Sequence, residues 1–178
     1  MKINKFSNDL PKEIVSKIKD SVALDTEATG LKIPERDKLS LIQLCDSSGQ
    51  VYVVQPDRKT YKAPNLVSLL ENDKIQKIGH YLRFDKSALE YFLKCRIKNV
   101  FDTKIASKVV RTYTDQHGLK NLVYEFCNKN LDDYGLVVVP GKPFGDDQCF
   151  RISCASSKEK IIDGLSRLKK AIFNYYIQ

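Results

Sequence analysis

The order of strand-like and helix-like segments is the feature that most constrains the fold of this 178-residue chain. A short helix is predicted at residues 10–20, and three strands are predicted after it. Turn residues separate the second of these strands from the third. From residue 65 onward, strands and helices alternate. The predicted strands are residues 22–26, 38–45, 50–54, 77–80 and 99–101, and the predicted helices are residues 65–72, 85–94, 103–112 and 118–128. An antiparallel meander followed by this alternation predicts an α/β fold, a mixed sheet of about five or six strands flanked by helices.

Two carboxylates, Asp25 and Glu27, lie at the end of the first predicted strand. Strand residues alternate between the two faces of a sheet, so both side chains project from the same side. Neighbouring carboxylates repel each other unless a cation neutralises them, and oxygen ligands without a nearby His or Cys favour Mg²⁺ or Mn²⁺ over zinc. An isolated triplet of this kind is also typical of an acidic turn, so the remaining sequence must distinguish the two interpretations.

The composition predicts one globular domain, or one domain with an appendage, because 42% of the residues are hydrophobic. No apolar run is long enough to span a bilayer, and residues 1–14 lack the apolar core of a signal peptide. We therefore expect a cytoplasmic protein with no membrane partner. The five cysteines are scattered without a C-x-x-C pair, which favours reduced thiols over zinc ligands or disulfides.

The positive charge is concentrated in the part of the chain that carries the two carboxylates. Residues 1–131 hold 23 of the 30 Lys and Arg residues and 16 of the 22 Asp and Glu residues. They account for +7 of the net charge of +8, and residues 132–178 contribute +1. A basic surface around an acidic centre suits a nucleic acid that meets metal ions at its scissile phosphate. A basic soluble protein without such a partner has the same charge.

Three segments can be compared with known motifs. They are LDTEATGL at residues 24–31, IGHYLRFDKSAL at residues 78–89, and VFDTKIASKVV at residues 100–110, the last followed by HGLKNLVYEF at residues 117–126. In this order the segments resemble the DEDD superfamily of 3′–5′ exonucleases and, within it, ribonuclease D. The resemblance covers residues 1–131, which we interpret as a truncated ribonuclease D-like domain. It implies a ribonuclease H-like fold.

The resemblance assigns roles to three carboxylates. Asp25 and Glu27 match its first motif, and Asp85 matches the aspartate of its second motif. All three are expected to be catalytic and to ligate Mg²⁺ or Mn²⁺. Two ions about 4 Å apart would activate a water and stabilise the attacking and leaving oxygens of an in-line displacement. The implied reaction releases nucleoside monophosphates from the single-stranded 3′ end of a nucleic acid, with RNA favoured over DNA.

The same resemblance implies contacts with the nucleic acid. The residues expected to make them are Thr26, His80, Tyr81, Phe84, His117 and Lys120. His80 is equally well explained as a packed histidine at a strand end, and His117 and Lys120 as part of a solvated helix face. Tyr81 stands where the family often has Asn. We interpret Asp102 as a helix N-cap rather than a metal ligand.

One part of the superfamily pattern is missing. Its fourth carboxylate comes from a late helix, in a Tyr-x-x-x-Asp or His-x-x-x-x-Asp arrangement, and no such match follows residue 131. Asp163 is the candidate for a replacement metal ligand, but Glu159 stands four residues before it. The sequence therefore predicts an enzyme whose activity is weak or lost.

Residues 132–178 form an atypical tail in which residues 134–172 resemble the C-terminal end of a class I pyridoxal-phosphate aminotransferase. That resemblance rests on VVVPGKPFGDD, FRIS and GLSRL, in which Arg151 matches the arginine that binds the substrate carboxylate. The Schiff-base lysine and the cofactor domain are missing, so we expect no pyridoxal phosphate. Two alternatives stay open: an ordinary hairpin and helix that complete the exonuclease, or a replacement helix that supplies Asp163.

The sequence thus predicts a metal-dependent 3′–5′ exonuclease that hydrolyses phosphodiester bonds. The alternative is a catalytically inactive nucleic-acid-binding remnant or chimeric fragment. A metal titration with a labelled oligonucleotide separates the two, because the remnant would bind without cleaving. The oligomeric state stays open.

Overall fold

The first of two compact units, residues 1–115, contains most of the secondary structure. The computed structural model describes residues 3–30, 32–33, 35–131, 137–140 and 150–153. In chain order the first unit holds β1 (Ile3–Ser7), α1 (Lys12–Val15), β2 (Ser21–Ala28), β3 (Leu39–Asp46), β4 (Val51–Gln55), α2 (Pro64–Glu71), β5 (Gln76–Gly79), α3 (Arg83–Leu93), β6 (Val100–Asp102) and α4 (Thr103–Val110).

The second unit, residues 116–178, contains α5 (Leu119–Cys127) and an antiparallel pair formed by β7 (Val137–Pro140) and β8 (Phe150–Ser153). The boundary predicted between residues 131 and 132 rests on two sequence resemblances rather than on compactness, and it stays a prediction. Within the part of the chain that the structure describes, no helix is long and apolar enough to cross a membrane.

A six-stranded sheet organises the first unit, with the strand order β1-β4-β3-β2-β5-β6. β2, β3 and β4 form the predicted antiparallel meander. β5 and β6 extend the sheet from β2 in parallel, and β1 pairs in parallel with β4 at the opposite edge. The prediction of a mixed α/β sheet is therefore confirmed.

The predicted helix at residues 10–20 is wrong beyond its first turn, because α1 ends at Val15. Leu10 and Ile18 are both buried in the hydrophobic core, although both lie outside α1. Residues i and i+8 share one face of a helix, so their spacing favours a helix whether or not one forms. β1 was not predicted. Its five residues, INKFS, alternate only between exposed and half-buried positions, which is typical of an edge strand with a weak apolar signal.

One face of the sheet and helices α2 and α3 share a single hydrophobic core. β2 contributes Val22 and Leu24 to it, and the helices contribute leucines such as Leu66 and Leu89, all buried. Each such leucine stabilises the fold by about 1.5–3 kcal/mol relative to an exposed position. The period of two in β2 therefore directs its odd-numbered residues, including Asp25 and Glu27, away from this core.

A fully buried lysine holds the connection into β5. The Lys77 ammonium donates hydrogen bonds to the carbonyl oxygens of Asn72 (2.6 Å) and Ile75 (2.7 Å). Burial lowers the pKa of Lys77 from 10.5 to about 8, more than the Asp73 charge raises it. The two hydrogen bonds fix the turn that precedes β5, and thereby the direction in which β5 enters the sheet beside β2.

Candidate active site

The last residues of β2 display two carboxylates on the face that is not covered by the core. Asp25 is exposed and lies opposite Gln43 of β3, whereas Glu27 is half-buried and lies opposite Leu41. The register between β2 and β3 shifts immediately after Glu27. Such an irregularity re-aims the strand end, so both acidic side chains lie where the regular ladder stops.

Among the residues that the structure describes, none forms a strand beside the end of β2 on the side that faces β5. The last pair between these strands joins Ala23 to Ile78, and β5 ends at Gly79. The backbone N–H of Thr26 therefore donates to a side chain, the Asp85 carboxylate, at 2.9 Å. The Thr26 hydroxyl donates to the same Oδ1 atom at 2.6 Å. Asp85 thus takes the place of the missing strand.

Asp85 lies in the first turn of α3 and is buried. Backbone N–H groups at a helix N-terminus favour a negative charge, and the two hydrogen bonds from Thr26 offset much of the cost of burial. Thr26 is itself buried, on the core side of β2. In this structure its side chain positions Asp85, and the nucleic-acid contact expected of Thr26 stays a prediction.

The three carboxylates share one electrostatic environment. Although its side chain reaches solvent, the surrounding protein partly desolvates Asp25. This desolvation, repulsion from Asp85 and repulsion from Glu27, in that order, raise the pKa of Asp25 from 3.8 to about 6, and the hydrogen bond from the Thr26 backbone opposes them. Carboxylate oxygens are the donors that Mg²⁺ and Mn²⁺ prefer. Among the described residues, however, no group of three or more His, Cys, Asp or Glu side chains is arranged to hold one ion. The shared ligand set therefore stays a prediction.

The loop that follows the carboxylates is closed by Asp37, which sequence analysis did not identify. Asp37 is buried and accepts hydrogen bonds from the backbone of Lys32 (2.8 Å) and from both Nε and Nη2 of Arg36 (3.0 Å each). The hydrogen bond from Arg36 is the main reason that the pKa of Asp37 is lowered. A Cβ atom at Gly30 would lie 2.5 Å from Asp37 Oδ2, so a side chain at this position would displace the Asp37 carboxylate. A single acidic residue outside a motif offers no sequence signal for this role.

His80 follows β5 and is half-buried. Its Nδ1 lies 3.0 Å from the hydroxyl oxygen of Thr103, and that hydroxyl donates to the carbonyl of Gly79 (3.1 Å). The Thr103 oxygen must then accept from His80, which places the imidazole proton on Nδ1 and leaves Nε2 as an acceptor. Burial lowers the pKa of His80, with opposing effects from Asp102 and Lys104, so the neutral ring is favoured.

Asp102 is the N-cap of α4, as predicted. It accepts hydrogen bonds from four backbone N–H groups, those of Tyr81 (3.0 Å), Leu82 (2.8 Å), Lys104 (2.9 Å) and Ile105 (3.2 Å). Burial raises the pKa of Asp102, but these donors, with Tyr81 first, outweigh it and hold the pKa below its usual value. One carboxylate therefore ties the turn before α3 to the start of α4.

Four further residues were predicted to contact the nucleic acid. Tyr81 is exposed and Phe84 is half-buried, each within six residues of Gly79. His117 is buried and Lys120 is exposed, and both belong to the second unit. Asp163 and Glu159 lie outside the described residues, so their proposed roles are not addressed by the structure.

The sequence matches the model of a known protein family. Residues 4–136 match the family described as 3′–5′ exonuclease. This chain belongs to the 3′–5′ exonuclease family. The match begins in β1 and continues beyond α5, so it includes Asp25, Glu27 and Asp85.

Solved structures of related nucleases share this fold. The chain is similar to Brucella melitensis NrnC with bound Mg²⁺, at 43% identity and a TM-score of 0.68 over 74% of this chain and 64% of that one. It is also similar to a protein described as the apo form of the nuclease, at 32% identity and a TM-score of 0.69 over 93% of this chain and 74% of that one. The catalytic core of RRP6 from Trypanosoma brucei, at 18% identity and a TM-score of 0.58, shows the same fold. The predicted ribonuclease H-like fold is confirmed, and the chain spans just under two thirds of the NrnC chain.

The aminotransferase resemblance has narrower support. The chain is 40% identical over 58 residues to a bifunctional aspartate aminotransferase and glutamate/aspartate-prephenate aminotransferase of Petunia hybrida. That similarity covers 33% of this chain and 12% of the plant protein. It is too small a share of the enzyme to indicate its activity here.

Proposed function

We propose that this exonuclease removes nucleotides from the 3′ end of short single-stranded nucleic acid, with RNA as the favoured substrate, and depends on Mg²⁺ or Mn²⁺. Family membership supports the reaction class. NrnC of Brucella melitensis, the relative at 43% identity, has been described bound to pGG and with bound Mg²⁺. A short oligonucleotide and a divalent cation are therefore the first substrate and cofactor to test.

The observation that carries the proposal is the coupling of three carboxylates at the unpaired end of β2. Asp85 is held by two hydrogen bonds from Thr26, the residue between Asp25 and Glu27. Its charge contributes to the raised pKa of Asp25. These carboxylates disfavour the ionised form of Asp25 as long as no cation is bound. A pKa raised in this way is typical of a functional site rather than of a structural one.

Asp25, Glu27 and Asp85 would hold the metal, which supplies charge stabilisation at the scissile phosphate and a more acidic bound water. The protein side chains orient this set. Thr26 restrains Asp85 through its backbone and hydroxyl groups. The hydrogen bond from the Lys32 backbone to the Asp37 carboxylate restrains the loop that follows Glu27. His80, with its proton on Nδ1, offers Nε2 as an acceptor for a hydroxyl of the substrate.

We further propose that hydrolysis is weak. The fourth carboxylate of the superfamily pattern has no match after residue 131, and neither does the Tyr or His that accompanies it. Loss of one preorganised electrostatic group costs about 10²–10³ in rate, and losses within one catalytic unit are not additive. The competing proposal is a protein that binds nucleic acid without cleaving it.

The test is single-turnover cleavage of a 5′-labelled RNA seven-mer by the full chain in Mn²⁺, in Mg²⁺ and in EDTA. We expect a ladder of products shortened one nucleotide at a time from the 3′ end, with metal only. Asp25→Asn should abolish it. Asp20→Asn is the matched control, because Asp20 is an exposed aspartate immediately before the other end of β2.

Binding of the RNA without shortening in any metal would favour the non-cleaving remnant. Products that persist after Asp25→Asn, or in EDTA, would contradict the assignment of these carboxylates. A DNA seven-mer of the same sequence, cleaved faster than the RNA, would overturn the preference for RNA alone.

A further inference from the structure

We propose that Tyr81 and Lys104 form a stacking platform for the substrate, in which the Tyr81 ring stacks on a base and Lys104 contacts a neighbouring phosphate. The inference rests on the proposed function and adds a specific contact to it. Tyr81 stands where the family pattern often has Asn, so the contact would distinguish this chain from relatives with that residue.

The first support is the exposure of the ring beside a cation. Tyr81 is 55% exposed, although an aromatic residue of this size is usually well buried. The Lys104 ammonium lies 4.1 Å from the centroid of its ring, within cation–π distance. The ammonium lies over one face of the ring, so a base would stack on the opposite face, close to a positive charge. Proteins that bind single strands combine these two elements, because every base has a face that stacks and every nucleotide has a phosphate.

The second support is the backbone at Tyr81. Its φ angle is +61°, in the left-handed region that bulky residues rarely adopt. Strain of this kind persists where the surrounding structure enforces it. Here Asp102 enforces it by accepting the Tyr81 N–H, and the same carboxylate caps the helix that carries Lys104. Both members of the platform are therefore fixed by one side chain.

The third support is position. The connection from β5 to α3 touches β2 on both sides of Tyr81. Before it, a Cβ atom at Gly79 would lie 2.8 Å from the carbonyl oxygen of Leu24, the residue preceding Asp25. After it, Asp85 bonds to Thr26. Tyr81 therefore belongs to the segment that borders the carboxylates. The 3′ end of a nucleic acid that enters the site would pass along this segment.

The chain contains a matched control. Tyr91 is 47% exposed, and the Lys94 ammonium lies 4.3 Å from the centroid of its ring. Tyr91 lies six residues after Asp85 on α3, about 9 Å further along the helix axis. The same pair of residue types thus occurs at the other end of the helix, with similar exposure.

The experiment measures binding of a single-stranded RNA seven-mer with 2-aminopurine at its 3′ end, using the full chain in Ca²⁺. Gel analysis after each titration checks that the RNA is intact. We expect quenching of the 2-aminopurine fluorescence by the wild type and by Tyr91→Leu. Tyr81→Leu should remove the quenching and weaken binding roughly 5- to 150-fold, the range expected for one lost base stack. Lys104→Met should instead lower the salt dependence of binding by about 0.7 in the log–log slope.

A second variant separates the contact from folding. Asn adopts the left-handed region more readily than Tyr, so Tyr81→Asn should keep or raise the thermal midpoint while it weakens binding like Tyr81→Leu. Wild-type affinity and quenching in both Tyr81 variants would overturn the platform and leave the proposed function intact. Equal losses for Tyr81→Leu and Tyr91→Leu would also overturn it. A wild-type chain that binds no nucleic acid would refute the proposed function itself.

Discussion

Replacing Asp25 by Asn should stabilise the metal-free protein, although it removes a residue that we propose is catalytic. The pKa of Asp25 is raised from 3.8 to about 6, so its ionised form is disfavoured by the fold. The full difference corresponds to about 3 kcal/mol at neutral pH. Because Asp25 is exposed, solvent screening reduces this figure, and we expect a gain of about 1–2 kcal/mol in the free energy of unfolding.

The pH dependence of stability shows why Asp25 destabilises the folded protein. Between pH 3.8 and about 6 the folded protein keeps a proton on Asp25 that the unfolded chain has lost. Asp25 therefore makes the wild type less stable as pH rises through this window, and its penalty is constant above it. The Asn variant has no such group. The stability difference between the two proteins should be near zero at pH 3.8. It should reach its full value above about pH 6.

The assay is urea unfolding of the wild type, Asp25→Asn and the control Asp20→Asn in EDTA at several pH values. Addition of Mg²⁺ should then raise the unfolding midpoint of the wild type more than that of Asp25→Asn, since only a folded site binds the ion. A variant that is equally or less stable than the wild type in EDTA at pH 7.5 would refute the raised pKa of Asp25 in the folded protein.

Three further substitutions follow from the contacts around the site. Thr26→Val removes the 2.6 Å hydroxyl bond to Asp85 and should cost about 1.5–3 kcal/mol in urea unfolding, whereas Thr26→Ser, which keeps the hydroxyl, should cost less. Gly30→Ala forces a Cβ atom against the Asp37 carboxylate and should cost about 1–3 kcal/mol in the free energy of unfolding. The same substitution should cost less in an Asp37→Ala background, and an equal cost there would contradict the clash. Asp102→Ala removes the acceptor of four N–H groups and should cost about 2–4 kcal/mol at neutral pH. Because the folded state lowers the pKa of Asp102, that deficit should shrink as the pH falls through the folded-state pKa, and a deficit that is constant with pH would exclude this explanation.

Much of the fold could be read from local patterns. The alternation around Leu24 and Leu44 and the turn at residues 46–49 predict the antiparallel meander, because both signals are contained in short segments. Long-range pairing leaves no such signal. β1 joins β4 through pairs such as Ile3 with Val51, across 48 positions of sequence, and nothing in INKFS specifies this partner.

The start of α2 shows the same limit at the scale of one hydrogen bond. Asn65 after Pro64 is a plausible N-cap by composition, but the structure places Pro64 inside the helix. The N–H groups of Asn65 and Leu66 are instead bonded by Asp9, from a distant loop (2.9 Å each). A tertiary contact has taken over a role that local sequence rules assign to a neighbour.

The candidate site was predictable to the extent that it is a motif. Asp25, Glu27 and Asp85 were identified by spacing and resemblance, and the structure couples them electrostatically. The support for them was not predictable, because it depends on where β5 ends. Neither the hydrogen bond from Thr26 nor the closure by Asp37 has a sequence signature.

The Thr26 amide proton is a natural spectroscopic probe. In a regular sheet this proton would be protected by a neighbouring strand, but here it is protected by the Asp85 carboxylate. Its NMR chemical shift and hydrogen-exchange rate therefore follow one acidic side chain rather than the sheet. Any event that turns that carboxylate toward a cation changes this resonance, while the amides of Val22 and Leu24 keep their strand environment. One backbone position thus records the state of the Asp85 carboxylate without any added label.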